Sequence, residues 1–301
     1  MTKKLLKIFG WLVTILALLY IFLRLRGAWP QIQGVQLRWN YVFLAVALNA
    51  SGYIGWALLW NCMLYQMREP LPWWTALRIW FLALIMRYIP GHVWHLLRLT
   101  YEAHQEGCSI HAVSLSLGLE HLQFLATGAL VLVFSLSFWP KSDSLVLWSL
   151  LLIPLLIFYL FPQLFQRPLA WGLRRIGLGV RPFALQSRAL FALVPGYVLT
   201  WLLHGAGVYC LVCALEPQPL AMLLPITGMY AVSWIVGFLS FITPGGLGVR
   251  EGVLGYLLAL LVPAPVAFLA ALLSRMALIS AELLCAAYFA GLSPRISHKA
   301  N

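Results

Sequence analysis

Apolar residues in this chain gather in long continuous runs, at positions 8–23, 41–64, 109–136, 144–161, 190–215, 220–242 and 264–292. An α-helix rises about 1.5 Å per residue and the hydrocarbon core of a bilayer is about 30 Å thick, so about 20 apolar residues cross it. Each run meets or approaches that length. No stretch alternates with a period of two, so a transmembrane barrel is not expected. The pattern predicts an all-α, polytopic transmembrane helix bundle. Positions 1–301 read as a single membrane domain without a low-complexity linker. The longest polar connection, 162–188, carries Arg167, Arg174, Arg175, Arg181 and Arg188 and no acidic residue.

Proline and glycine interrupt the runs twice, and in the same way. Glu69-Pro70-Leu71-Pro72 precedes an apolar stretch ending in Tyr88-Ile89-Pro90-Gly91, and Glu216-Pro217-Gln218-Pro219 precedes one ending in Ile242-Thr243-Pro244-Gly245-Gly246. Each break is followed by an arginine, Arg98 or Arg250, and later by a charge inside a long apolar helix, Glu120 or Arg275. This predicts two repeats, about 41–136 and 190–292. Proline removes a helical hydrogen bond and glycine permits unusual backbone angles. Opened backbone is not tolerated against lipid, so both breaks belong in the protein interior.

Basic loops stay on the cytoplasmic side. Placing the N-terminal lysines and the five-arginine connection there requires the first Pro-Gly segment, 72–99, to enter and return on one face. The halves are then inverted repeats, each with a Pro-Gly-broken re-entrant helical hairpin, the second at 220–262. The first arm of that second hairpin is also long enough to cross the membrane. The N-terminal run reads as an uncleaved helix, because Leu23-Arg24-Leu25-Arg26 follows without a small-residue cleavage site. Both termini are expected in the cytoplasm and the chain in the cell membrane. The scheme leaves Arg24, Arg26 and Arg38 on the outside.

Composition narrows the function. The chain is 62% hydrophobic and 9% charged, too little charge to cover a water-facing surface. Its net charge of +12 sits mostly near helix ends, which suits topology and anionic lipid headgroups rather than nucleic acid. Cys62, Cys108, Cys210, Cys213 and Cys285 form no spaced framework and read as small apolar fillers. The fourteen tryptophans read as interfacial anchors, Trp94 beside the first break being the exception, equally suited to packing or to lining a cavity.

Charges at membrane depth cost roughly 2.5–3.5 kcal/mol each on insertion scales, so each needs a reason. Arg87, Glu120, Arg275 and Glu282 lie within apolar runs, with Arg78, Arg98, Arg250 and Glu251 close by. Arg275 and Glu282 share a helical face two turns apart. One reading is a polar cavity for a charged headgroup. The other is that the charges pair, Glu120 with Arg87 or Arg275, and lock the halves together. The basic excess favours an anionic ligand such as a lipid phosphate, which arginine grips by a bidentate fork. His92 and His95 follow the first break, with His104, His111 and His121 later, but no cysteine or aspartate stands at metal-ligand spacing and no metal is expected. The only aspartate is Asp143, and no phosphate-binding loop, nucleophile elbow or paired acidic motif is present. Neither a cofactor nor a self-contained enzyme is therefore expected.

The segment from Ile242 to Gly252, with Pro244-Gly245-Gly246-Leu247-Gly248-Val249-Arg250-Glu251 at its centre, resembles the PGGLGVRE signature of the lysylphosphatidylglycerol synthase transmembrane region, a flippase-like membrane domain. Tyr88-Ile89-Pro90-Gly91-His92-Val93-Trp94-His95 resembles that family's looser upstream Pro-Gly motif. The likeness covers about residues 3–292. Its aminoacyl-transfer domain is not expected, since the chain stops soon after its last helix. The resemblance makes Pro244, Gly245, Gly246, Gly248, Arg250 and Glu251 motif residues. Together with Arg87, Pro90, Gly91, His92, His95, Arg98, Glu120, Arg275 and Glu282 they form the expected headgroup site. It implies a translocase moving a phospholipid or polyprenyl-phosphate-linked lipid between leaflets through a polar intramembrane groove. The alternatives are a non-transporting lipid-binding scaffold that partners a separate lipid-modifying enzyme, and an intramembrane lipid-modifying enzyme using Glu120 with His121, or His92 and His95.

Overall fold

The computed structural model describes residues 36–88, 94–139, 157–175, 187–240 and 246–291, together with positions 19 and 23. Among these residues the regular structure is helical: α1 (Trp39–Gln66), α2 (Trp73–Leu84) continued by a 3₁₀ turn (Ile85–Tyr88), α3 (Trp94–Gln105), α4 (Ile110–Leu136), α5 (Gln163–Arg175), α6 (Ser187–Leu215), α7 (Leu223–Leu239), α8 (Val249–Leu258) and α9 (Ala264–Gly291). Five of the described helices, Trp39–Gln66, Ile110–Leu136, Ser187–Leu215, Leu220–Leu239 and Ala264–Gly291, are long and apolar enough to cross a membrane. The predicted run at 8–23, apart from positions 19 and 23, and the first part of the 144–161 run, 144–156, lie outside the described residues, as do the two Pro-Gly pairs themselves.

The order of elements recurs. A long helix, a Glu-Pro-x-Pro connection, a shorter helix, a break, a short helix and a second long helix appear first as α1 to α4 and again as α6 to α9. Packing follows the same exchange. The first long helices, α1 and α6, lie against each other; α1 touches α9 as α6 touches α4, and α2 touches α9 as α7 touches α4. Each half therefore closes its core with the last helix of the other.

Local sequence explains the connections. α1 stops because Arg68 adopts a left-handed φ of 61°, which lets Glu69 N–H donate to Leu64 O at 3.1 Å and Arg68 N–H to Tyr65 O at 2.9 Å. This is a Schellman ending. α3 ends the same way at Gly107 (φ 97°), with Cys108 N–H donating to Ala103 O at 3.1 Å. The two endings are tied together. Glu69 accepts from Ser109 N–H at 2.6 Å and from its hydroxyl at 2.8 Å, while Ser109 caps α4 by accepting from Ala112 N–H. Asn61 holds the intervening turn through both backbone groups of Leu71. Burial pushes the neighbouring Cys108 thiol up to about 11, helped by Glu69 and Glu106, so it stays protonated at neutral pH.

Two expectations are corrected. The 162–188 connection is not simply a polar loop: Gln163–Arg175 is a helix, α5, carrying Arg167 and Arg175 on exposed positions. Nor are the tryptophans all interfacial. Trp73 and Trp74 are exposed, but Trp60 and Trp201 are completely buried. Trp56, Phe124 and Trp201 stack in succession, with centroids 4.0 and 4.2 Å apart, and Trp234 meets Phe124 edge-on. This aromatic column draws on α1, α4, α6 and α7. The indole N–H groups of the two completely buried tryptophans find acceptors inside the bundle, Trp60 at Ser116 Oγ and Trp201 at Phe124 O, which removes their need for an aqueous interface.

Helices pack closely where one residue is small, as expected when lipid supplies no hydrophobic drive for association. At Gly205 an added Cβ would lie 2.2 Å from Thr227 Oγ1 and 2.5 Å from Thr227 Cβ. Thr227 is β-branched and buried, so it cannot swing aside. Gly205→Ala is expected to destabilise the α6–α7 contact by about 1–3 kcal/mol, whereas Gly252→Ala, with nothing within 4 Å of the new methyl, should be neutral or better. Thermal unfolding of the two variants in detergent makes the comparison.

Candidate functional site

The charges that an apolar helix should avoid converge on one interior region. Glu282, on α9, accepts from the Arg87 guanidinium and from the Tyr53 hydroxyl. Arg87 Nη2 also stands 3.3 Å from the Tyr53 oxygen and its guanidinium lies over that ring. The contact thus ties the first repeat, through Tyr53 and Arg87, to the last helix of the second. Glu282 is 2% exposed.

Next to this pair the network crosses to α6 and α7. The Tyr53 ring meets His204 edge-on at 4.9 Å, and His204 stacks on Tyr230 at 5.9 Å. His204 Nδ1 shares a hydrogen bond with Asn49 Oδ1 at 2.8 Å, and Asn49 donates in turn to Ala45 O at 2.7 Å. Tyr230 receives Arg250, whose Nη2 donates to the phenol oxygen at 2.5 Å and whose guanidinium lies 4.9 Å from the ring centroid.

The signature segment explains how Arg250 reaches that position. Gly246 and Gly248 have φ values of 70° and 83°, which side-chain-bearing residues rarely adopt. A Cβ at Gly246 would lie 3.0 Å from the Gly237 carbonyl oxygen, so the turn is pressed against the end of α7. Glu251 reaches back to accept from Gly248 N–H at 2.7 Å and so caps α8. Its other oxygen faces Arg275 Nε of α9 at 3.6 Å. Arg250 and Glu251 are neighbours that point to different partners, as their spacing requires.

Ten of the fifteen expected residues are described, seven of these line this interior region, and their partners differ in part from the expected ones. Arg87 and Glu282 meet at Tyr53, Arg250 meets Tyr230, and Glu251, one residue on in α8, meets Arg275, with Gly246 and Gly248 shaping the turn that leads in. Glu120 does not pair with Arg87 or Arg275. It is buried on α4 against its own neighbour, with Oε2 2.8 Å from His121 Nδ1, because Arg87 and Arg275 have closer carboxylates on α9 and α8. His95 packs near His121, ring centroids 6.4 Å apart. Arg98 stands apart, one-third exposed on α3 and paired with Glu102 one turn on at 3.5 Å. Trp94 is about half exposed on the same helix. Pro90, Gly91, His92, Pro244 and Gly245 lie outside the described residues. Tyr53, Tyr230, His204 and Asn49 had not been anticipated. Asn49 and Tyr53, one turn apart in an apolar helix, were the available signal. Among the described residues no group of three or more His, Cys, Asp or Glu side chains is placed to hold a metal ion.

Long apolar helices around an interior of paired charges define a multi-pass helical membrane protein. The chain matches the lysylphosphatidylglycerol synthase TM region over residues 7–281 and belongs to that family, a membrane domain linked to lipid handling. No curated protein matches it.

Proposed function

We propose that this protein is a lipid translocase, carrying a phosphate-bearing headgroup between leaflets while the acyl chains stay in the bilayer. The observation that carries the reading is the buried charge where the two halves join: Arg87 on Glu282, Arg275 on Glu251, and Arg250 on the Tyr230 phenol. Buried charge of this kind inside a membrane bundle usually marks a substrate path, and helix breaks in matching positions of two halves usually flank it. The exchanged packing of the halves supports inverted repeats. α2 with its 3₁₀ turn, 73–88, is about 26 Å long by the helical rises, short of the roughly 30 Å hydrocarbon, and supports a re-entrant first hairpin. The 20 residues of Leu220–Leu239 let the first arm of the second hairpin reach across most of the bilayer before the chain turns back through α8 toward α9. Arg98 meets the headgroup at the entry, and the interior arginines pass it on while Glu251 and Glu282 balance their charge. Cytoplasmic termini in a cell membrane follow from the basic α5 segment.

The test is transbilayer movement of a fluorescent phosphodiester lipid in liposomes holding the purified chain. Arg250→Gln and Glu251→Gln should each lower the rate at least about tenfold, toward protein-free vesicles. Thermal unfolding should be little changed in the first and lowered but still cooperative in the second, which leaves Arg275 without the Glu251 charge. Flipping at the original rate in both variants removes the site from the mechanism. A pure protein that binds lipid without moving it, and copurifies tightly with a lipid-modifying enzyme, identifies the scaffold instead. Turnover of a labelled lipid identifies an enzyme.

A further inference from the structure

The charges of the network do not cancel. Arg87 is paired with Glu282 and Arg275 with Glu251. Arg250, 8% exposed, has a phenol and an aromatic face as its partners, and among the described residues no carboxylate lies within 4.0 Å of it. The chain has only 8 acidic residues to offer. Glu69 is held by Ser109, Glu102 by Arg98, Glu106 by Arg78 and Glu120 by His121. Glu216 stands past the end of α6, and Asp143 lies in a different connection. The two undescribed breaks, 89–93 and 241–245, contain no acidic residue at all. Among the described residues three guanidinium groups therefore face two carboxylates, and Arg250 is the one without a carboxylate beside it.

Arg250 and Arg87 share surroundings. Both act electrostatically on Tyr53, Tyr230 and His204, so the two guanidinium groups border the same small region. An uncompensated buried charge is costly and is relieved by one opposite charge. Resting on the translocase reading, we propose that Arg250, beside the Arg87–Glu282 pair, is a seat for a single negative charge, and that it selects a phosphodiester over a phosphomonoester or diphosphate. A phosphodiester carries one charge and presents two free oxygens to the guanidinium fork. A phosphomonoester carries between one and a half and two charges near neutral pH, and more above it. Seating the dianion leaves one negative charge in excess, unless Glu282 gives up its own.

Binding to the purified full chain in detergent, read by tryptophan fluorescence at pH 8, tests this. The probes are short-chain phosphatidylglycerol, short-chain phosphatidic acid and tail-less glycerophosphoglycerol. The diester lipid should bind at least about tenfold tighter than the monoester. Tail-less glycerophosphoglycerol binding over inorganic phosphate supports the seat and locates its selectivity in the headgroup. Arg250→Gln should lose diester binding about tenfold or more. Arg250→Lys keeps the charge and should keep the preference at weaker affinity, which separates the seat from a folding defect. Glu282→Gln retains an acceptor oxygen for Tyr53 and Arg87 but removes one negative charge, so it should move the preference toward phosphatidic acid. Equal binding of the two lipids by the unaltered chain, or a preference that Glu282→Gln leaves in place, overturns the proposal. Transport is scored separately. Selective binding without lipid movement sinks the translocase reading and spares the seat, whereas Arg250-dependent flipping without diester preference does the reverse.

Discussion

Arg87→Leu is expected to destabilise the protein by about 3–5 kcal/mol, because it removes the guanidinium that neutralises the buried Glu282 carboxylate. Glu282 is 2% exposed and would keep only the Tyr53 hydroxyl of its two described partners. The double replacement Arg87→Leu with Glu282→Leu should recover much of the loss, since a buried pair exchanged for apolar side chains is often neutral or stabilising. The same double variant should still fail to transport, because the interior would be left without the guanidinium that accompanies Arg250. Equilibrium unfolding in mixed micelles measures the first part and the liposome assay the second. If the single variant were as stable as the double, the pair would not be the closed, desolvated contact its geometry describes.

Trp201→Ala is expected to cost about 3 kcal/mol, the lower end of the range for removing a buried aromatic. The indole is completely buried, stacks on Phe124 at 4.2 Å and donates to Phe124 O and Thr127 Oγ1, each at 3.2 Å. Lipid is as apolar as the bundle interior, so little of the penalty comes from water. It comes from the void and from lost dispersion contacts with α4 and α7. Trp201→Phe, which refills part of the stack but drops the hydrogen bond, should fall between the two. Equal melting of Trp201→Ala and the parent chain would show that the aromatic column does not join the halves.

The network was half legible beforehand. Arg87, Arg250, Glu251, Arg275 and Glu282 announced themselves because a charge inside an apolar run has no innocuous explanation in a bilayer. Their partners did not. Arg87 and Glu282 are 195 positions apart and meet only because α9 crosses to the first half. Glu120, equally conspicuous, turned to its own helix neighbour. Tyr53, Tyr230 and His204 carry no charge at neutral pH in their ordinary forms, so nothing in an apolar helix set them apart. Arg98 looked like the counterpart of Arg250, and only its seat on a partly exposed helix separated the two.

Helical spans, their number within the described chain, the two matching proline-glycine interruptions and the family were settled by the order of residues alone. A bilayer admits few solutions for long apolar runs, and glycine at a positive φ leaves a local mark. Which tryptophan is buried, which carboxylate each arginine reaches, and the single positive charge left over at Arg250 were decided by packing. Those outcomes depend on which faces of distant helices touch, and hydropathy along one chain does not encode a distance between two of its helices.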